Sequence, residues 1–168
     1  LDTMFLYVFH LAQHVAETTT GAFDITVAPA VNAWGFGFKN AETIDNDLID
    51  SLKQIVGYQM VKEENGTIVK NDSRIMLDCS AIAKGFGCDV VAALFDSVGI
   101  ADYMVEIGGE IVVKGLNSKG SDWRIGISKP TDDSLATETE LQTVLELTNR
   151  AMATSGNYLQ YYYVDGER

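Results

Sequence analysis

Basic residues are scarce in this sequence: 12 lysines and arginines stand against 24 aspartates and glutamates in 168 residues, a formal net charge of −12. No stretch gathers Lys or Arg into a cluster. That argues against nucleic acid and anionic membrane surfaces as partners, because a phosphate backbone needs a basic face. An anionic small ligand stays open, but it would lean on a metal ion or on helix N-termini to screen the charge. Cysteine is scarce too. Cys79 and Cys88 are too few for a disulfide framework and fit two separate small core residues better than a bridge. Nothing approaches the roughly 20 consecutive apolar residues that a membrane-spanning helix needs. The opening stretch, Leu1 to Val15, has neither an initiating Met nor the basic segment of a signal peptide, so the chain is expected to open inside a domain. His10 and His14 share one helix face at a spacing zinc proteases use. With no Glu in the fitting place and no third ligand, they are expected to be surface or half-buried side chains.

What is present begins with apolar mass. At 46% hydrophobic and 21% charged residues, the chain can bury the core of one domain, or most of a somewhat larger one. Its densest stretch runs from Leu77 to Gly115. Arg74 to Leu77 is a short apolar run that predicts a strand, with Asp78, Cys79 and Ser80 in the turn after it. Ile82, Phe86, Val90 and Leu94, flanked by Ala93 and Val98, predict one buried stripe of a helix that stops at Gly99. Met104 to Val113 then reads as strand interrupted by Gly108-Gly109, where a ligand or another backbone can come close. Backbone amides at a helix start favour an anion, and Lys84 adds a positive charge in the first turn, which suits phosphate or pyrophosphate. The same pattern also fits an ordinary capped helix in α/β packing.

The rest of the chain is plainer. Met4 to Glu17 predicts an amphipathic helix, and the segment from Thr18 to Gly37 a structured loop with a Pro29-led helical turn. Phe23, Trp34 and Phe36 in that loop read first as core; Phe23 or Trp34 also suits the flank of a flat ring. Asp45 to Asp47 caps a helix carrying Leu48, Ile49, Leu52, Ile55 and Val56, closed by Gly57. Tyr58 to Lys62 and Thr67 to Lys70 alternate on either side of Asn65-Gly66, a hairpin signal. Strands are expected over Trp123 to Ser128 and Leu141 to Leu147, with an exposed acidic loop over Thr131 to Glu140 between them. Ala151 to Tyr158 reads as strand running into a polar turn, and Tyr161 to Val164 as the first arm of a hairpin.

Five segments taken together carry more than any one of them. GAFDITVAPAVNAWGFG (21–37), LDCSAIAKGFGCD (77–89), VEIGGEI (105–111), WRIGISKP (123–130) and ATSGNY (153–158), in this order, closely resemble the FAD:protein FMN transferase (ApbE) family, long labelled thiamine biosynthesis lipoproteins. The resemblance covers essentially the whole chain. It implies an α+β fold, a single domain over 1–168 with a mixed or antiparallel sheet and flanking helices. It implies FAD as substrate, Mg²⁺ as metal, and Mg-dependent transfer of FMN to a Thr hydroxyl of a target flavoprotein with release of AMP. Carried over by position, Ala22, Phe23, Asp24, Asp78 and Lys84 contact FAD, and the backbone carbonyl of Ala81 binds the metal. Gly108-Gly109 and Thr154-Ser155-Gly156 match family motifs near the cofactor. A lone carbonyl with waters does not make a Mg²⁺ site, which wants carboxylates and near-octahedral oxygens. Family members carry further metal ligands after a His-(Ile/Val)-Asp-Pro-x-Thr-Gly segment that this sequence does not contain. The resemblance therefore leads us to expect a fragment that lacks N- and C-terminal parts, binds FAD poorly and transfers no FMN alone. It also implies a bacterial periplasmic location, by a lipid anchor outside these residues on the outer side of the inner membrane. A flavin-binding or FAD-hydrolysing relative, and a non-catalytic interaction domain of the same fold, are the alternative functions.

Overall fold

The structure, a computed structural model, describes residues 2–37, 43–130 and 140–156. Helix α1 (Thr3–Thr18) begins where the Asp2 carboxylate accepts the Phe5 amide, a standard N-cap bond. Its buried residues are Val8, Phe9, Ala12 and Ala16, one stripe of the helix. It closes through the Gly21 amide, which donates to Ala16 O at 2.8 Å with Gly21 at φ +80°. A 3-10 turn (Ile25–Val27) and helix α2 (Ala28–Ala33) follow, then helix α3 (Asn46–Lys53), capped by Asp45. Strands β1 (Val61–Glu64) and β2 (Thr67–Lys70) pair antiparallel with Glu64 opposite Thr67. The two loop residues, Asn65 and Gly66, have φ +52° and +76°, which is the primed turn that an Asn-Gly pair favours. Helix α4 (Ser80–Ser97) comes next.

The described residues fall into two compact units, one up to Ala83 and one from Lys84. The core of the first gathers Phe9, Ala12, Ile25, Ile55, Val61 and Ile75, with Phe23, Leu77, Cys79 and Ile82 packed at its margin. The Gln13 amide donates to Tyr58 O and Val61 O, fastening α1 to the start of β1. In the second unit, β3 (Tyr103–Ile107), β4 (Glu110–Lys114) and β7 (Arg150–Met152) form an antiparallel sheet in the order β3-β4-β7. Strand β5 (Trp123–Ser128) pairs antiparallel with β6 (Leu141–Leu147). Its cores are Cys88, Ala92, Tyr103 and Val105 in one cluster, and Ile111, Val113 and Ile125 in another. Helices with antiparallel strands make this an α+β fold, as expected.

Four sequence readings are corrected here. Arg74 to Leu77 is not a strand: Ile75 is fully buried, but its carbonyl is taken by Lys70 Nζ at 2.9 Å and not by a neighbouring strand. Tyr58–Met60 is a 3-10 turn, closed by the Met60 amide on Gly57 O, so the first hairpin arm starts at Val61. The α4 stripe is misplaced, since Leu94 is 58% and Val98 64% exposed while Cys88 and Ala92 are buried. A line drawn at i, i+4 drifts about 40° per step on a helix of 3.6 residues per turn, so Leu94 lies about 120° around from Ile82. Phe36 is exposed and outside the core, whereas Phe23 packs against it. The readings for 131–139 and 157–168, including the hairpin arm at Tyr161, lie outside the described residues.

Candidate functional site

In the first unit the segment that carries Ala22, Phe23 and Asp24 turns sharply out of α1. The Phe23 amide donates to Thr19 Oγ1, and its ring packs on the core, leaving Ala22 exposed. Asp24 Oδ1 accepts the Thr26 amide at 2.8 Å and the Thr26 hydroxyl at 2.7 Å, capping the 3-10 turn. Thr26 is completely buried, and its hydroxyl in turn accepts the Gly57 amide at 2.7 Å. A buried hydroxyl must be satisfied, and this one is held from both sides.

Asp78 reaches the same neighbourhood from the other end of the unit. Its amide donates to Ile25 O at 2.7 Å, so one backbone bond joins the two segments that carry Asp24 and Asp78. Its Oδ1 accepts the Ser80 amide at 2.7 Å, satisfying one of the N–H groups that the first turn of α4 leaves without a helical partner. Cys79 O accepts the Ile82 and Ala83 amides and starts the helix. Burial, and then the charge of Asp78, push the Cys79 thiol up, so it stays protonated. Both cysteines are free. Ala81, on the exposed side of this first turn, offers a single carbonyl oxygen. Among the described residues no three His, Cys, Asp or Glu side chains converge to hold a metal ion. Mg²⁺ takes a near-octahedral oxygen set with carboxylate help, so the described residues by themselves do not complete a site for it.

The second unit holds Lys84. Its ammonium donates to Gly108 O at 3.0 Å and lies 3.0 Å from Glu110 Oε1. Gly108 (φ +57°) and Gly109 (φ +91°) are the two loop residues between β3 and β4, with Ile107 opposite Glu110, so the expected interrupted strand is a tight hairpin. The close approach that the glycines permit is made by Lys84 itself: a Cβ on Gly108 would sit 2.9 Å from Lys84 Cδ. A Cβ on Gly109 would lie 3.6 Å from Thr154 Oγ1, so the Gly-Gly and Thr-Ser-Gly motifs are neighbours. One turn further along α4, the buried Cys88 thiol donates to Glu110 O at 3.2 Å.

Ala22, Phe23, Asp24, Asp78 and Ala81 thus belong to the first unit, and Lys84 to the second. Two residues were not singled out from sequence. Thr26 follows Asp24 at the spacing of an Asx turn, a signal that could have found it. Glu110 gave none, because its role depends on a lysine far away in the chain. A hollow of about 450 Å³ between α1 and the β1 end of the hairpin, lined by His10, Gln13, Glu17, Tyr58 and Glu63 among others, contains none of the predicted site residues.

The sequence model described as "ApbE family" matches residues 1–168. A curated relative from Vibrio cholerae, named FAD:protein FMN transferase, is 41% identical over 170 residues, covering 100% of this chain and 50% of the relative. The structure titled as the flavin transferase ApbE from Vibrio cholerae superposes with a TM-score of 0.82 at 39% identity, over 98% of this chain and 52% of that one. The ApbE protein from Thermotoga maritima gives a TM-score of 0.83 at 27% identity, over 99% and 53%. This chain spans about half the length of the curated relatives it matches.

Proposed function

This chain belongs to the ApbE family, and from that membership we propose that it forms the flavin-handling part of an enzyme that transfers FMN from FAD to a protein acceptor. The observation that carries the reading is the match over residues 1–168 together with a 41% identical relative named for that reaction. In the proposed reaction an acceptor hydroxyl oxygen forms a bond to the FMN phosphorus, the pyrophosphate P–O bond breaks, AMP leaves with the electron pair, and the hydroxyl proton passes to solvent water. A Thr acceptor, release of AMP and dependence on Mg²⁺ belong to this proposal, with most ligands of the ion outside the described residues. Attachment to the outer side of the bacterial inner membrane by a lipid anchor is part of it too.

The residue roles extend the proposal. In the first unit Ala22 leaves the chain open beside Phe23, whose ring offers a flat apolar edge, and Asp24 and Asp78 offer acceptor oxygens for donor groups of FAD. Ala81 offers its carbonyl to the metal. In the second unit the Lys84 ammonium stabilises anionic oxygens, and such charge-assisted hydrogen bonds are the strong ones. The geometry is compatible with this because Asp24 and Asp78 flank one backbone bond and the Lys84 side chain is 46% exposed. The test is to incubate the protein bearing this chain with FAD, Mg²⁺ and an acceptor domain carrying a Thr. A mass gain of one FMN on the acceptor, lost with a chelator, is expected; free FMN and AMP with an unlabelled acceptor would favour hydrolysis instead. If Asp78→Ala and Lys84→Ala both leave FAD affinity unchanged in a flavin fluorescence titration, the residue roles fall.

A further inference from the structure

We propose that Glu110, resting on the flavin-transfer reading, is the positioning residue of Lys84: it fixes where the ammonium meets an anionic oxygen of the substrate. An ammonium has three N–H donors. One goes to Gly108 O at 3.0 Å and one to Glu110 Oε1 at 3.0 Å, which leaves the third without a partner among the described residues on a side chain that is 46% exposed. The Glu110 side chain is only 13% exposed, and its Oε2 is buried with no hydrogen-bond partner among the described residues. A carboxylate this enclosed is costly unless its charge is compensated, and Lys84 is the cation the structure sets against it. The pairing is therefore mutual: the lysine neutralises the glutamate, and the glutamate removes the lysine's freedom.

Two further features hold the arrangement in one geometry. Gly108, at φ +57° and without a Cβ, lets the lysine stem lie against the turn, where a Cβ would stand 2.9 Å from Lys84 Cδ. The Cys88 thiol donates to the Glu110 carbonyl at 3.2 Å, tying the glutamate backbone to the helix that carries the lysine. A long flexible side chain is thereby delivered as a rigid donor, and preorganised donors act on developing charge without reorganising during the reaction.

Three variants, with Lys84→Met as the reference for the third, decide it in the protein bearing this chain: Glu110→Gln, Glu110→Asp and Lys84→Met/Glu110→Gln. Asp keeps the charge but is one methylene too short to hold the ammonium in place. Both single variants are expected to lower kcat for FMN transfer by about tenfold or more, the scale on which misplacement of a positioned group acts, with KM for the acceptor unchanged. The double variant is expected to transfer no more slowly than Lys84→Met alone, since the two residues act as a unit. Independently of flavin, acylation of Lys84 by a water-soluble anhydride, mapped by mass spectrometry with Lys119 as internal reference, is expected to be several-fold faster in Glu110→Gln. Wild-type kcat in both single variants, additive losses in the double variant, or an unchanged Lys84 acylation rate would each overturn the proposal. If the wild-type protein transfers no FMN, the flavin reading fails, and the acylation rate alone still shows whether Glu110 holds Lys84.

Discussion

Asp24 already accepts two hydrogen bonds from its own chain, so a substitution there acts on the fold before it acts on any ligand. Asp24→Ala removes the cap and strips the buried Thr26 hydroxyl of its acceptor, a loss of about 1–2 kcal/mol by analogy with other caps. Asp24→Asn keeps a side-chain oxygen and should retain most of that stability in urea titrations. Its effect on FAD affinity then reports the charge itself; a stability loss equal to that of the alanine variant would show that the amide cannot replace the carboxylate as a cap. A parallel logic applies to Lys84. Lys84→Met strands the Glu110 carboxylate in a poorly solvated place, so its fall in thermal midpoint should be partly recovered in Lys84→Met/Glu110→Gln. An additive loss would mean that the glutamate finds water or another donor. At this scale the motifs that contain them made Asp24, Asp78 and Lys84 candidates for the site. The sequence could not show Glu110, because an ion pair depends on distance in space and the Gly-Gly-Glu string has no periodic or capping signature.

Two turns of like geometry allow a comparison between elements. Gly66 and Gly108 both stand at positive φ between paired strands, but a Cβ on Gly66 meets nothing within 4 Å, whereas one on Gly108 meets Lys84 Cδ at 2.9 Å. Gly66→Ala should therefore cost only the left-handed strain, about 1–2 kcal/mol. Gly108→Ala should cost the same strain and also displace Lys84, so it alone should weaken FAD binding in a fluorescence titration. Equal binding in the two variants would sever the link between the turn and the lysine. The Asn65-Gly66 hairpin was legible because a primed two-residue turn demands residues that tolerate positive φ. The strands at Trp123–Ser128 and Leu141–Leu147 were legible for a different reason, the run of β-formers between breakers. The face of α4 was not, since apolar residues stand on several sides of that helix and its neighbours decide which are covered: Cys88, Ala92 and Phe95 meet β3, while Leu94 does not. Nor was the coil at Arg74 to Leu77, where Ile75 is apolar because it fills the core and not because a strand runs there.

For the whole molecule, the charge network sets the response to pH. The Asp96 carboxyl is held below its ordinary value by hydrogen bonds from Lys114 and then Tyr103, and Asp72 is pulled to about 2 by Arg74. Depressed carboxyl values mean that the stabilisation is present above about pH 4 and is lost as pH falls toward 2. In the other direction, Lys114 is raised by its bond to Asp96, Tyr103 by burial and then by Asp96, and the thiols of Cys79 and Cys88 first by burial. Raised values mean stability that is complete below the unfolded-state values and declines as pH rises past roughly 9–10. Urea midpoints should thus be flat across neutral pH and fall at both ends. In Asp96→Asn, which removes the cause of the Lys114 shift and part of that of Tyr103, the fall at both ends should be shallower from a lower neutral-pH midpoint; an unchanged profile would remove this network from the account. Family membership and the α+β fold were legible in the ordered series of motifs, while the division into two compact units left no compositional mark, since no linker separates Ala83 from Lys84. The Gly57 amide has one further consequence. Its acceptor is the hydroxyl of the completely buried Thr26, 31 residues away in the chain, so deuterium replaces its hydrogen through openings that break this tie within the first unit. That single amide is a clock for the unit, and its exchange rate, read in the presence and absence of FAD, measures how firmly a bound ligand keeps the unit shut.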